Sequence, residues 1–110
     1  MIYQHRQLAS GRWREMPFFE QMANIGSEVE RAINWKKKDN RSYSQQAFER
    51  GLELLDLTIS DSKNLKRLKE LVRARETLAD YFAFNNDYHS TDKSWSNYFY
   101  AFNYASRLGR

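Results

Sequence analysis

The chain has 110 residues, of which 41% are hydrophobic and 29% are charged, and it carries a formal net charge of +4. This length and composition fit one globular domain, and we expect no separate catalytic domain beside it. The chain contains no cysteine, which excludes disulfides and thiolate zinc sites. No stretch approaches the roughly 18 consecutive apolar residues of a membrane span. We therefore expect a cytoplasmic protein that does not contact membranes.

The first 15 residues carry several basic side chains and show little periodicity, so residues 1–15 predict a basic N-terminal arm. A frayed terminus and an ordered contact both fit this arm. From Pro17 onwards apolar residues recur at spacings of three and four, which predicts a first long helix that ends near Lys37. Gly26 lies in the middle of this helix at a cost of roughly 1 kcal/mol relative to Ala, which favours a close approach by another helix.

Residues 47–82 are typical of two amphipathic helices joined by a short polar turn, the second helix ending near Ile59 and the third near Phe84. So short a connection requires that the two helices run antiparallel. For the third helix the spacing predicts an apolar stripe that Arg75 interrupts. The stripe consists of Leu65, Leu68, Val72, Ala79 and Phe82, and it is flanked by Leu71 and Leu78.

The final helix, from about Asp92 to Arg107, is rich in aromatic residues. One stripe of this helix can cover the core by itself, and it consists of Trp95, Tyr98, Phe99, Phe102 and Ala105. A second face remains, and a monomer needs to bury only one. Either the arm folds over this second face, or the helix meets a protein partner or a second copy of the chain. The candidate residues for that contact are Trp95, Tyr100, Tyr104 and Leu108. Together, the patterns predict an all-α fold, an antiparallel up-down four-helix bundle in residues 16–110 that follows the arm.

Arg75 is the sharpest local anomaly, because a guanidinium on an apolar stripe must be paired or reach solvent. We expect a buried polar pair between Arg75 and Asp56 of the facing helix, which would set the register of the two helices. The alternative partners are carboxylates of the first helix, Glu28 and Glu30, and carboxylates close to Arg75 in sequence, Glu76 and Asp80. A functional alternative is an anion site in an RNA-cleaving cleft.

The segment RARETLADYF resembles the signature of the HEPN superfamily, small helical bundles many of which are ribonucleases. In that signature an Arg is followed by four residues and then a His near an aromatic pair. Here Asp80 stands five residues after Arg75, and Tyr81 and Phe82 follow it. Because His carries the proton transfer in such sites and Asp is ionised at neutral pH, the resemblance implies a catalytically inert member.

No other motif indicates an enzyme. His5 and His89 have no metal-ligand neighbour at helical spacing, and the chain has neither a glycine-rich phosphate loop nor a nucleophile elbow. We therefore expect no catalytic residue, no metal, no cofactor and no small-molecule substrate.

Basic residues gather at one end when the helices are folded into an up-down bundle. The candidates for contact with RNA or DNA are Arg12, Arg14, Lys63, Lys66, Arg67, Arg107 and Arg110. Such side chains can neutralise phosphates while Trp13 and Tyr104 stack on unpaired bases, as in proteins that bind single strands. A solvated charged rim without a ligand is the alternative.

The runs FFEQMANIGSEVERAINWKKK, AFERGLELLDLTISD and NYFYAFNYASR resemble a group of short, functionally unassigned bacterial helical proteins, which implies no activity. In size, basicity and helical form the chain is also similar to the accessory variability proteins of diversity-generating retroelements. That similarity implies an oligomer that binds nucleic acid beside a reverse transcriptase. The sequence thus predicts a non-enzymatic binding module, an accessory subunit of a nucleoprotein assembly. The alternatives are a purely structural oligomeric or protein-binding bundle and a degenerate HEPN-like bundle.

Overall fold

The computed structural model describes residues 11–108, and within this range the chain forms four α-helices, two short 3-10 helices and no strand. The prediction of an all-α protein with four long helices is confirmed. The α-helices are α1 (Phe18–Lys37), α2 (Arg41–Ile59), α3 (Leu68–Ala83) and α4 (Asp92–Leu108). The 3-10 helices are η1 (Arg12–Glu15) before α1 and η2 (Ser62–Arg67) between α2 and α3. No helix in the described range combines the length and apolarity needed to cross a bilayer.

Helix α1 is the central helix, because it packs along α2 on one side and along α4 on the other. Its apolar positions recur at helical spacing and are all buried, from Met22 and Ile25 to Ile33. Helix α2 packs in turn against α3, whereas the backbones of α3 and α4 approach each other closely at few points.

Pairs of side chains define how the helices face one another. Phe18 at the start of α1 lies against Phe102 near the end of α4, with ring centroids 5.7 Å apart. Lys36 at the end of α1 pairs with Asp92 at the start of α4, 2.9 Å between Nζ and Oδ1. Between α2 and α3, the rings of Phe48 and Phe82 are 5.2 Å apart.

The buried stripe of α3 differs in part from the predicted one, of which Ala79 and Phe82 do pack against the core. Leu65, Leu68 and Val72 are exposed, and the residues that face the core are Leu71, Ala74 and Leu78. The two stripes are offset by three residues, a rotation of about 60° on a helix with 3.6 residues per turn. Because of this rotation, Arg75 lies at the flank of the buried face rather than at its centre, where a guanidinium could not be solvated.

The described part of the predicted arm belongs to the core. Residues 12–15 form η1, and the Trp13 side chain within it is only 1% exposed. Trp13, which the prediction places in the arm, thus packs with residues of α1 and α2. Residues 1–10 lie outside the described range.

Gly26 lies where α4 approaches α1, as its mid-helix position predicts. A Cβ atom at this position would lie 2.7 Å from the Cβ of Phe99, which is closer than side-chain carbons tolerate. The corresponding position at Gly51 in α2 differs, because its nearest neighbour would be the Cβ of Glu28 at 3.6 Å, an ordinary contact.

We expect Gly26→Ala to lower the free energy of unfolding by about 1–3 kcal/mol, because relief of the clash must move α4. Gly51→Ala is the matched control and should raise the free energy of unfolding by about 0.5–1 kcal/mol through helix propensity alone. Urea denaturation of both variants measures the difference. Equal effects of the two substitutions would contradict the close approach at Gly26.

Candidate nucleic-acid interface

A buried polar network holds η1 and η2 against α1 and α2 at one end of the molecule. The indole Nε1 of Trp13 donates to Thr58 Oγ1 at 3.0 Å. The amide of Gln21 donates to Trp13 O at 3.0 Å and to Asp61 Oδ2 at 3.1 Å. Asn64 donates to Gln21 Oε1 at 2.9 Å and to Thr58 O at 3.1 Å. All five side chains are buried, so the network fixes both 3-10 segments in place.

This network was not predicted from the sequence. Trp13 was expected to stack on bases, and the other four members were not candidate site residues: Gln21, Thr58, Asp61 and Asn64. A signal for two of them was present. Gln21 lies four residues before Ile25, and Thr58 lies four residues after Leu54, so both continue an apolar stripe with a polar residue.

Lys63 and Arg14 meet at this end. Lys63 Nζ donates to the backbone oxygen of Arg14 at 3.0 Å and pairs with the carboxylate of Asp61. Burial by itself would raise the pKa of Asp61, but hydrogen bonds from Lys63 and Gln21 outweigh burial and hold this pKa below its usual value. Asp61 is thus ionised at neutral pH and neutralises Lys63 locally.

Arg67 lies over aromatic rings at the start of α1. Its Cζ is 4.4 Å from the ring centroid of Phe18 and 5.6 Å from that of Phe19, which is cation–π geometry. Its Nη1 is also 3.4 Å from Glu70 Oε1. Arg67 is therefore oriented by its neighbours, although its side chain remains exposed.

The other basic candidates at this end are exposed and form no ion pair within residues 11–108: Arg12, Arg14, Lys66 and Arg107. We call Arg12, Arg14, Lys63, Lys66, Arg67 and Arg107 the basic end. Arg107 lies in the last turn of α4, about 8 Å along the helix axis from Phe102, which touches the start of α1. Arg110 lies outside the described range.

The aromatic residues of the basic end differ from the predicted ones. Trp13 is unable to stack on a base, because its ring is buried and its Nε1 is bonded to Thr58. Phe19 and Tyr104 are the exposed rings near the basic end. The prediction of a stacking role is therefore wrong for Trp13 and stays a prediction for Tyr104.

The opposite end of the molecule is closed by a small polar cluster. Lys36 Nζ donates to Tyr81 OH at 2.8 Å and to Asp92 Oδ1 at 2.9 Å, and Tyr81 also donates to Asp92. Burial disfavours the charge on Lys36, but these two bonds outweigh it and raise the pKa of Lys36. This lysine is used to join α1, α3 and α4.

The four residues of the predicted contact face of α4 do not all lie on one side of the helix. Tyr100, Tyr104 and Leu108 are exposed, and the rings of Tyr100 and Tyr104 stack with centroids 6.5 Å apart. Trp95 is only 5% exposed and packs against Tyr98 and Phe99 inside the bundle. Trp95 thus does not share the outward face with the other three.

Arg75 pairs with Asp56 across α2 and α3. Its Nε lies 2.6 Å from Asp56 Oδ1 and its Nη2 3.3 Å from Oδ2, so the pair is bidentate. The two side chains are 38% and 33% exposed, so this pair is half-buried rather than buried. The hydrogen bond to Asp56 raises the pKa of Arg75.

Asp80, which takes the place of the His in the HEPN-like segment, anchors the loop after α3. Its carboxylate accepts hydrogen bonds from the backbone amides of Asp87 at 2.9 Å and Tyr88 at 3.0 Å. Arg75 and Asp80 are thus each engaged in a separate structural interaction. Within residues 11–108, no group of three or more His, Asp or Glu side chains is arranged to hold a metal ion.

Comparisons with protein-family models, curated proteins and solved structures gave no match. The function of the chain therefore has to be inferred from its own geometry.

We expect Asp61→Asn to lower the free energy of unfolding at pH 7 by about 1–2 kcal/mol, because the charged hydrogen bonds to Lys63 and Gln21 become neutral ones. Since folding lowers the pKa of Asp61, its contribution is fully present above the ordinary value of 3.8 and disappears as the pH falls through the folded-state pKa. Denaturation at several pH values should show the two proteins converging in acid. The exposed Glu15→Gln serves as control, and a pH-independent difference for Asp61→Asn would contradict the assignment.

Proposed function

We propose that this protein is a non-enzymatic binding module, an accessory subunit of a cytoplasmic nucleoprotein assembly, and that it contacts RNA or DNA through the basic end. One observation carries the proposal. Basic side chains of η1 and η2 lie beside the start of α1, Phe102 near the end of α4 contacts that start, and Arg12, Arg14, Lys66 and Arg107 have no ion-pair partner within residues 11–108. Phosphates would supply the missing negative charge.

The proposal includes the up-down order of the four helices, which brings the end of α4 to the start of α1. The contact between Phe18 and Phe102 supports this order at the basic end. The pair of Lys36 and Asp92 supports it at the opposite end. Alternation of the helices is what allows η2 and the last turn of α4 to share one surface.

Preorganisation favours binding at this end. The buried network fixes the backbone of η1 and η2, so these segments lose little conformational freedom when a ligand binds. Phe19 and Tyr104 offer exposed rings on which unpaired bases can stack. These rings favour a single strand over a duplex, whose bases are already stacked.

The absence of catalysis is part of the same proposal. Arg75 is held by Asp56, and Asp80 is held by the backbone of the following loop. A cleft for RNA cleavage needs an arginine and a proton-transfer group that both face the substrate. The engagement of both residues supports a binding role in place of a nuclease.

The decisive experiment measures binding of single-stranded RNA at several salt concentrations. Affinity should fall as salt rises, with a slope of about 0.7 per neutralised phosphate in a plot of log K against log salt. Arg14→Glu with Lys66→Glu should remove most of the binding and reduce that slope, because both side chains are exposed and unpaired in the described part of the chain.

The matched control is Arg41→Glu with Lys93→Glu at the opposite end. It changes the net charge by the same amount, and both positions lie in the first turn of a helix, where Glu suits the helix dipole. This control should bind RNA nearly as well as the wild type. Equal losses in the two double variants, or no salt-sensitive binding by the wild type, would overturn the proposal.

A second candidate function is self-association or protein binding through α4. The observation that favours it is the exposed apolar face of Tyr100, Tyr104 and Leu108, in which Tyr100 is 66% and Tyr104 is 55% exposed. A stacked pair of exposed tyrosines is typical of a surface that a partner covers.

We expect Tyr100→Ser with Tyr104→Ser to convert an oligomer into a monomer, because the substitutions remove the two rings from the apolar face. Light scattering coupled to size exclusion measures the mass of wild type and variant at the same concentration. A monomeric wild type would remove self-association and leave a different protein as the partner of this face.

A further inference from the structure

A cleft of about 320 Å³ lies between α3 and α4. A tyrosine bridges the two helices at each end of it. Tyr98 OH donates to Glu70 Oε2 at 3.0 Å at one end, and Tyr81 donates to Asp92 at the other. Burial and the neighbouring Glu70 raise the pKa of Tyr98, so its hydroxyl remains a donor at neutral pH. The helices are thus held at a fixed distance on both sides of the cleft.

The cleft between α3 and α4 is open because several of the side chains that line it are small. The wall on α3 is formed by Ala74 and Thr77, and Ser94 of α4 stands opposite. Elsewhere the helices are joined by large side chains, such as Phe48 and Phe82 between α2 and α3. The bridges keep α3 and α4 apart, so the helices do not collapse onto these small residues. The cleft is at the lower limit of the roughly 300–1,000 Å³ of small-molecule sites.

The walls of the cleft are mostly apolar, and Trp95 and Tyr98 contribute aromatic surface. The indole Nε1 of Trp95 is shielded from water and has no hydrogen-bond partner within the described residues. A ligand in the cleft therefore meets the apolar surface of the Trp95 ring and not this nitrogen.

The charge at the mouth of the cleft comes from Arg73. Its side chain is exposed and forms no ion pair within residues 11–108. Glu70, the carboxylate at the same mouth, is already engaged by Arg67 and by Tyr98. The free charge beside the apolar wall is therefore positive.

We propose that the cleft between α3 and α4 binds a small apolar molecule that carries one carboxylate. The apolar body lies against Trp95 and Tyr98, in the space left by Ala74 and Thr77, and the carboxylate faces Arg73. This site adjoins the basic end at the pair of Glu70 and Arg67, but it does not depend on nucleic-acid binding. Fatty acids and aromatic acids share this chemistry, so the experiment includes one of each.

The test is calorimetric titration of the full chain with decanoate and, separately, with naphthoate. We expect one molecule of at least one acid to bind per chain, and the acid that binds identifies an aliphatic or an aromatic ligand. Ala74→Leu should weaken binding by at least about tenfold, because the larger side chain occupies the cleft. Thr77→Met fills the same space from the next turn of α3 and replaces Ala74→Leu if that variant does not fold.

The role of Arg73 is tested with Arg73→Gln. This substitution should weaken binding of the acid by about tenfold and leave the neutral analogue, decanol or naphthalenemethanol, unchanged. Lys69→Gln removes the same charge from the preceding turn of α3 without altering the cleft and should bind both like the wild type. Absence of binding by both acids, or wild-type affinity in the filled variants, would overturn the proposal.

Discussion

The structure depends on the buried polar network of Trp13, Gln21, Thr58, Asp61 and Asn64. Buried polar groups are costly unless they are paired, and here each of the two amides links different segments of the chain. The network ties η1 to α2 through Trp13 and Thr58, and it ties η2 to α1 through Gln21 and Asn64. Two short 3-10 segments, which have little stability of their own, are thereby ordered. The position of the basic end follows from this constraint.

Ion pairs and hydrogen bonds at both ends of the molecule determine which charged side chains remain free to bind a ligand. Asp61 is used inside the network and neutralises Lys63, and Glu70 lies against Arg67. At the opposite end, Lys36 is used to join three helices through Tyr81 and Asp92. Four cations that remain exposed and without an ion pair within the described residues lie in η1, η2 and the last turn of α4, namely Arg12, Arg14, Lys66 and Arg107. Others, such as Arg73 and Lys93, lie elsewhere on the surface. Helix α1 supports both the core and the basic end, since its first turn carries the rings beneath Arg67.

Much of the fold could be predicted from the sequence, because helical periodicity and breaker residues are local signals. The close approach at Gly26 followed from the cost of a mid-helix glycine, and Asp56 was the expected partner of Arg75, against which the structure places it. On α3 the predicted and the observed apolar stripes overlap and are rotated by about 60° about the helix axis. Periodicity alone could not decide which of the two faces the core. The burial of Trp13 and the cleft beside Trp95 depend on contacts between distant segments, which no local pattern encodes.

Native-state hydrogen exchange of Gln21→Met tests the central role of the network most directly, because this substitution removes its hydrogen bonds at nearly constant volume and charge. The amides of Arg14 and Asn64 are bonded within η1 and η2, to Gly11 O and Asp61 O. The account predicts that their protection falls by more than that of the Val29 amide in the middle of α1, because the two 3-10 segments open while the helices remain packed. A uniform fall across the chain, or unchanged protection at Arg14 and Asn64, would contradict it.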